Sequence, residues 1–321
     1  MKTICVIIPV YNEEDIIEEL ISRLQKETKQ LQYDFKFIII DDGSTDSTFD
    51  TLRKIQQKNR RIEIIKLSRN WGHQNSYNAG IDYAKGDAVI LMDGDLEDPP
   101  ELISEFVKNW EAGYEIVYGV KKSREENKFK KMMFSLFYIM LKYIADVSID
   151  RQAGMFSLLD KRAYVHIRNC KEMNKYYVGL RAFIGFKQIS IPYKREKRFA
   201  GRPKQSLNRL FNYALNAFFS FSYLPVRLIT YSGICLLLIL FFLSCALVIF
   251  RITNLKIWFI QTLPGWTSIV LILFILLGVQ LVFMGILGEY IARILDEVRK
   301  RPYYIIDAVY ESENQTAEKE L

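Results

Sequence analysis

Two stretches of the 321-residue chain carry no charged side chain: the 23 residues between Arg227 and Arg251, and the 32 between Lys256 and Glu289. A helix of about 20 apolar residues crosses a bilayer, because it satisfies its own backbone polar groups where no water is available. Either run is long enough. From Met1 to about Gln205, by contrast, charged and apolar residues interleave as in a water-soluble fold. The expected division is a soluble domain over 1–205, a juxtamembrane amphipathic region over 206–227, two transmembrane helices with a short loop over 228–290, and a C-terminal tail over 291–321.

Basic residues crowd ahead of the first run and after the second (Arg293, Arg299, Lys300, Arg301), whereas only Arg251 and Lys256 lie between the runs. That asymmetry predicts a multi-pass protein of the cell membrane, with both termini and the soluble domain in the cytosol and Trp258 and Trp266 near the far interface. The opening "MKTICVIIPVYNEE" does not read as a signal peptide, since its apolar run is short, contains Pro9 and meets three acids in Glu13, Glu14 and Asp15. Cys5, Cys170, Cys235 and Cys245 have neither paired nor metal-ligand spacing, and are expected to be reduced and structural.

The net charge of +7 is concentrated in two blocks. One, residues 121–142, holds Lys121, Lys122, Arg124, Lys128, Lys130, Lys131 and Lys142 against Glu125 and Glu126; the other, residues 194–227, holds eight bases against Glu196. The second block abuts the first apolar run, where bases favour anionic head groups, so a membrane and a phosphorylated substrate are expected partners and nucleic acid is not.

Within the soluble part, "ICVIIPVY" (4–11) and "FKFIIIDDGS" (35–44) read as strands flanking a helix from Glu13 to about Gln30, a βαβ unit. A second helix follows "STDST", capped by Ser44, Thr45 or Asp46, and "IEIIKLS" (62–68) is a third strand. "DAVILMD" (87–93) is apolar on both faces, as in a parallel strand covered by helices. "MMFSLFYIML" (132–141) is only half a bilayer long and reads as a core helix whose basic flanks also suit an interface. The end after Tyr310 is polar and expected to be disordered. Ligands of open parallel sheets sit beyond the carboxyl ends of the strands. Tyr11 to Glu13, Asp41 to Ser44 and Asp93 to Asp98 all fall at such ends.

The last of these, "VILMDGDLEDPP" (89–100), runs from a buried strand into a cluster of acids. Asp93 and Asp95 are one residue apart, and their repulsion is unfavourable unless a cation offsets it. Hard carboxylate ligands suit Mg²⁺ or Mn²⁺ held jointly by protein and substrate phosphates. An Asp-x-Asp alone is a weak signal; following "PVYNEE" and "DDGSTD" in this order it is a strong one.

Through "VIIPVYNEE", "IDDGSTDST", "LSRNWGHQ" and "AGIDYAKGDAVILMDGDLEDPPE" the sequence resembles the family 2 glycosyltransferases of GT-A fold. "AGRPKQSL" and "FMGILGEYIARILDEVRKRPYY" are similar to elements of the membrane subgroup that transfers a sugar from a nucleotide to a polyprenyl phosphate. The resemblance implies an α/β, Rossmann-like GT-A domain followed by interfacial helices and two spans. It places Pro9, Tyr11, Glu13, Asp41 and Asp42 around the nucleoside of a nucleotide-sugar donor, UDP-glucose or a related UDP-sugar. Asp93 and Asp95 become the catalytic acids, holding Mg²⁺ or Mn²⁺ against the diphosphate during inverting transfer to undecaprenyl or another polyprenyl phosphate. A homo-oligomer is left open. His73 reads equally as a phosphate contact and as a structural histidine.

One departure stands out. Much of the subgroup reads "GDFRL" where this chain reads "GMFSL", with Met155 for the acid and Ser157 for the arginine. A hydroxyl acceptor would need a general base there, but a lipid phosphate arrives ionised and needs cations instead. Arg124, Arg202 and Lys204 are the expected acceptor-phosphate ligands. A processive polysaccharide synthase would carry a Gln-x-x-Arg-Trp element, which is absent. A non-catalytic scaffold or lipid translocator would have no need of the intact acid and nucleoside motifs.

Overall fold

The computed structural model describes residues 1–121, 153–170, 172, 175–194 and 265–311, with isolated positions at 231, 235, 238, 239 and 242. It forms two compact units, one of Met1–Ala217 with Pro302–Leu321 and one of Phe218–Arg301.

The first unit is built on an eight-stranded sheet of order β7-β5-β6-β4-β1-β2-β3-β8. Its strands are β1 (Thr3–Val10), β2 (Asp34–Asp41), β3 (Ile62–Leu67), β4 (Ala88–Leu91), β5 (Ile116–Lys121), β6 (Ala153–Asp160), β7 (Gln188–Tyr193) and β8 (Ile306–Tyr310). β1 pairs in parallel with β2 and β4, β2 with β3, and β5 with β7. β6 runs antiparallel between β4 and β5, so the carboxyl ends of β4, β5 and β7 lie on one edge with the start of β6. β8 is antiparallel to β3.

The central strands β1 and β4 are almost entirely apolar, as is the 37–40 stretch of β2, because both faces are covered. Ile4, Val6 and Ile8 of β1 join Phe37 and Ile39 of β2 in one core with α1 (Ile17–Thr28) and α4 (Leu102–Glu111). Ile7, Ile38 and Ile40 face the other way, against α3 (His73–Tyr83), α5 (Lys161–Asn169) and α6 (Tyr177–Phe183). Helix α1 buries Ile17, Leu20, Ile21, Leu24 and Thr28, a stripe at helical spacing. It starts later than the periodicity predicts, because residues 13–16 form a turn in which Ile16 and Ile17 N–H both donate to the Glu13 carbonyl.

Helix α2 (Thr48–Lys58) follows Ser47 at its N-cap; of the three expected caps, Asp46 accepts from the Thr48 N–H at 3.0 Å. β4 is shorter than predicted. Asp87 leaves the ladder to accept from the Thr3 N–H at 2.8 Å with its carboxylate, and the chain turns away after Met92. β8 was not anticipated. It covers the β3 edge, with the Ser68 N–H donating to the Ile305 carbonyl at 3.0 Å and Arg53 stacked 3.9 Å from the centre of the Tyr310 ring.

In the second unit, α7 (Gly265–Arg299) is 35 residues long. Its Leu276–Arg299 stretch is long and apolar enough to cross a membrane by length and composition. Leu273, Leu277, Leu281, Met284, Ile291 and Ile294 all present exposed side chains. The first apolar run, the 132–141 segment and residues 206–227 lie outside the described residues, apart from the isolated positions, which are helical. Among the described residues Cys5, Cys170 and Cys235 are free thiols.

Candidate active site

The carboxyl ends of β1 and β2 are stitched together by side chains. Asn12 adopts a left-handed φ of 52°, which asparagine tolerates. Its N–H donates to Ser44 Oγ at 3.0 Å and its Oδ1 accepts from the Thr45 N–H at 2.8 Å, while the Glu13 N–H donates to Thr48 Oγ1 at 2.8 Å. Tyr11, Asn12 and Glu13 are thereby held half-exposed at the rim, with Pro9 buried behind them.

Asp41 and Asp42 are both buried. Asp41 Oδ1 accepts from the Ser44 N–H at 3.0 Å, whereas its Oδ2 has no hydrogen-bond partner among the described residues. Asp42 accepts from the Trp71 N–H at 2.7 Å and the Gly72 N–H at 3.0 Å, one on each oxygen, and so pins the loop between β3 and α3. Burial pushes both acids above the usual carboxylate range, opposed for Asp41 by its bonds to Ser44 and for Asp42 by the two amides. Between Asp42 and Ser44, Gly43 has φ +69°, and a Cβ there would lie 2.5 Å from the Arg69 carbonyl carbon. Only glycine lets the two loops touch.

Beyond β4 the chain presents Asp93 and Asp95, both half-buried. Asp93 Oδ1 accepts from the Tyr77 hydroxyl at 2.8 Å and sits 2.9 Å from His73 Nε2. Burial works against its ionisation, but His73, Tyr77 and Lys121 outweigh that and hold Asp93 below the usual carboxylate range. Burial likewise disfavours the imidazolium, yet Asp93, then Asp95 and Asp42, raise the His73 pKa. The ring of His73 meets that of Tyr77 edge-on at 4.7 Å. Asp95 Oδ1 accepts from the Glu97 N–H at 3.1 Å, shaping the turn itself.

The structure thus gathers Pro9, Tyr11, Glu13, Asp41, Asp42, Asp93 and Asp95 at the carboxyl ends of three adjacent strands, β4, β1 and β2. It adds His73 and Tyr77, which reach Asp93 from the first two turns of α3; their signal was the "GHQNSY" that opens that helix. Arg124, Arg202 and Lys204 lie outside the described residues. Met155 packs among apolar side chains and Ser157 is buried with its hydroxyl turned to the Met155 carbonyl at 2.8 Å, so neither brings charge.

The family model for glycosyl transferase family 2 matches residues 5–173, which span β1 to the end of α5 and hold every acid described above. The chain belongs to glycosyl transferase family 2. It is 37% identical over 311 residues to the uncharacterized glycosyltransferase YkcC of Bacillus subtilis, covering 97% of this chain and 95% of that protein. Identity to the uncharacterized glycosyltransferase sll0501 of Synechocystis is 38% over 315 residues, with 98% of each chain covered. The prophage bactoprenol glucosyl transferase homolog of Escherichia coli is 30% identical over 307 residues, covering 95% of this chain and 99% of that protein.

The sheet and its two helical layers are accordingly the GT-A, Rossmann-like α/β domain of a glycosyltransferase. Among the transferase's described residues no three His, Cys, Asp or Glu side chains gather into a ready-made metal cage. Asp93 and Asp95 nevertheless offer hard carboxylate donors on one turn, a set that fits a divalent ion whose shell is completed by phosphate oxygens.

Proposed function

We propose that this glycosyltransferase moves a sugar from a nucleotide donor, UDP-glucose or a related UDP-sugar, to a polyprenyl phosphate such as undecaprenyl phosphate. The observation that carries the reading is the extent of the likeness to the bactoprenol glucosyl transferase homolog. It runs over 95% of this chain, far past the 5–173 match to the family model and through the apolar segments. The two uncharged runs then serve as two spans, with the catalytic domain and both termini cytosolic, so that a water-soluble donor and a lipid acceptor meet at the membrane surface.

On this reading the domain limits at 205, 227 and 290 separate catalytic, interfacial and spanning parts. Pro9, Tyr11 and Glu13 wall the nucleoside. Asp41 Oδ2, buried without a partner among the described residues, accepts a hydrogen bond from the base or ribose. Asp42 acts one step back, by holding the loop that delivers His73. Asp93 and Asp95 hold Mg²⁺ or Mn²⁺ with the diphosphate, which neutralises charge on the departing nucleotide. Tyr77 and His73 fix the Asp93 carboxylate for that task.

An oxygen of the acceptor phosphate attacks C1 of the sugar as the C1–O bond to the nucleoside diphosphate breaks, and the configuration inverts. No proton need be removed from the acceptor, which accords with the uncharged Met155 and Ser157. Arg124, Arg202 and Lys204 hold its phosphate by charge-assisted hydrogen bonds. The test is a panel of sugar nucleotides offered to the purified full-length protein with and without undecaprenyl phosphate. Nucleotide release that needs both one sugar nucleotide and the lipid phosphate supports the reading; release that ignores the lipid rejects it.

A further inference from the structure

Asp98 lies on the same turn as the acid pair, three residues past Asp95, and is 1% exposed. Its Oδ1 accepts from the Tyr193 hydroxyl and lies 3.7 Å from Lys121 Nζ; its Oδ2 is buried with no hydrogen-bond partner among the described residues. A carboxylate buried on one hydrogen bond and one long ion pair is costly. A neutral or apolar residue of similar size would serve stability at least as well.

The two residues it touches are register partners, the last of β5 and the last of β7. The Tyr193 ring is seated where Gly119 of β5 leaves room, since a Cβ there would lie 2.7 Å from Tyr193 Cε1. Past Lys121 the chain enters the first basic block, and past Tyr193 it enters the second. Asp98 therefore joins the turn bearing Asp93 and Asp95 to the points where both basic segments leave the sheet.

We propose that Asp98 is a positioning residue that fixes the roots of the two basic segments relative to the acid pair, so that acceptor phosphate and donor diphosphate are held in one frame. This rests on the acceptor reading given above. The contacts are long-range, with 95 residues between Asp98 and Tyr193.

The experiment uses the full-length protein in nanodiscs and compares it with Asp98→Asn, Tyr193→Phe and Lys121→Met. UDP affinity in the presence of Mn²⁺, the KM for undecaprenyl phosphate, kcat and the thermal midpoint are measured for each. Asp98→Asn is expected to raise the lipid KM about tenfold, with UDP affinity within about twofold and the midpoint not lowered; Tyr193→Phe shifts the lipid KM in the same direction by a smaller factor. A residue with only a structural role would lower the midpoint and both affinities together, and that pattern overturns the proposal. Lipid KM values within about twofold of the parent in both Asp98→Asn and Tyr193→Phe overturn it as well, leaving the acceptor reading intact. A parent protein without any lipid-dependent transfer removes the acceptor reading and this inference with it.

Discussion

Replacing Gly43 by alanine tests whether the contact between the two donor-side loops is as tight as described. Gly43 has φ +69°, a region that costs an L-residue about 1–2 kcal/mol. Its new Cβ would lie 2.5 Å from the Arg69 carbonyl carbon and 2.8 Å from both Arg69 Cα and Asn70 N, all backbone atoms that cannot swing aside. Relieving that overlap moves the 69–70 backbone, at about 1–3 kcal/mol for overpacking, and the total loss of stability is about 2–5 kcal/mol. Gly113 supplies the control. It too has a positive φ, +89°, but nothing lies within 4 Å of a Cβ built there, so Gly113→Ala should cost only the backbone term of about 1–2 kcal/mol. Urea unfolding of both variants in detergent gives the difference. Moving Arg69 and Asn70 also drags Trp71 and Gly72 from Asp42, so UDP affinity in Gly43→Ala should fall by at least about tenfold, or 1.4 kcal/mol. Equal stability losses in the two variants, with UDP affinity unchanged in Gly43→Ala, would refute the reasoning.

Asp95→Asn should leave a folded membrane protein whose transfer rate is reduced by at least about a hundredfold, and near-normal turnover would remove the acid pair from the chemistry. Tyr77→Phe deletes one hydrogen bond to a charged carboxylate, worth about 1.5–3 kcal/mol, so transfer should drop by about tenfold or more at unchanged protein yield; single-turnover rates check it. Burial, with the charge of Asp93 adding and Lys121 opposing, pushes the Asp98 pKa up to about 6 from an ordinary 3.8. The native state then binds its proton more tightly than the unfolded chain, so Asp98 favours folding most below about pH 4 and that contribution is lost as pH rises through about 6. Asp98→Asn should flatten the stability profile between those limits, and an unchanged slope would contradict the assignment.

The parallel core was legible because buried strands are written as continuous apolar runs, and the acid ends were legible because polar groups follow those runs directly. "CVIIPVY" and "FIIIDD" yield both β1 and β2 and the positions of Asp41 and Asp42. What Asp42 does was not legible: it binds the backbone amides of Trp71 and Gly72, and amides leave no mark on composition. β8 escaped for a different reason. "IDAVY" is short and half-exposed, and its edge position is decided by the free β3 ladder rather than by its own pattern. The link from Asp98 to Tyr193 and Lys121 needs the whole sheet order, with β6 inserted antiparallel between β4 and β5, before those ends become neighbours. Nothing in "RNWGHQ" separates a phosphate contact from a structural histidine; the 2.9 Å approach of His73 to Asp93 and its edge-on contact with Tyr77 come from the fold.

The central claim, sugar transfer to a polyprenyl phosphate under control of the acid pair, is met most directly by following a radiolabelled sugar from UDP-glucose into the organic phase. The full-length protein and Asp95→Asn are each incubated with undecaprenyl phosphate and Mn²⁺, with or without chelator. The account predicts label that partitions with lipid, is released by mild acid as a single sugar, and disappears both with chelator and in Asp95→Asn. Label that stays in water, or that enters the lipid equally well in Asp95→Asn, would contradict it.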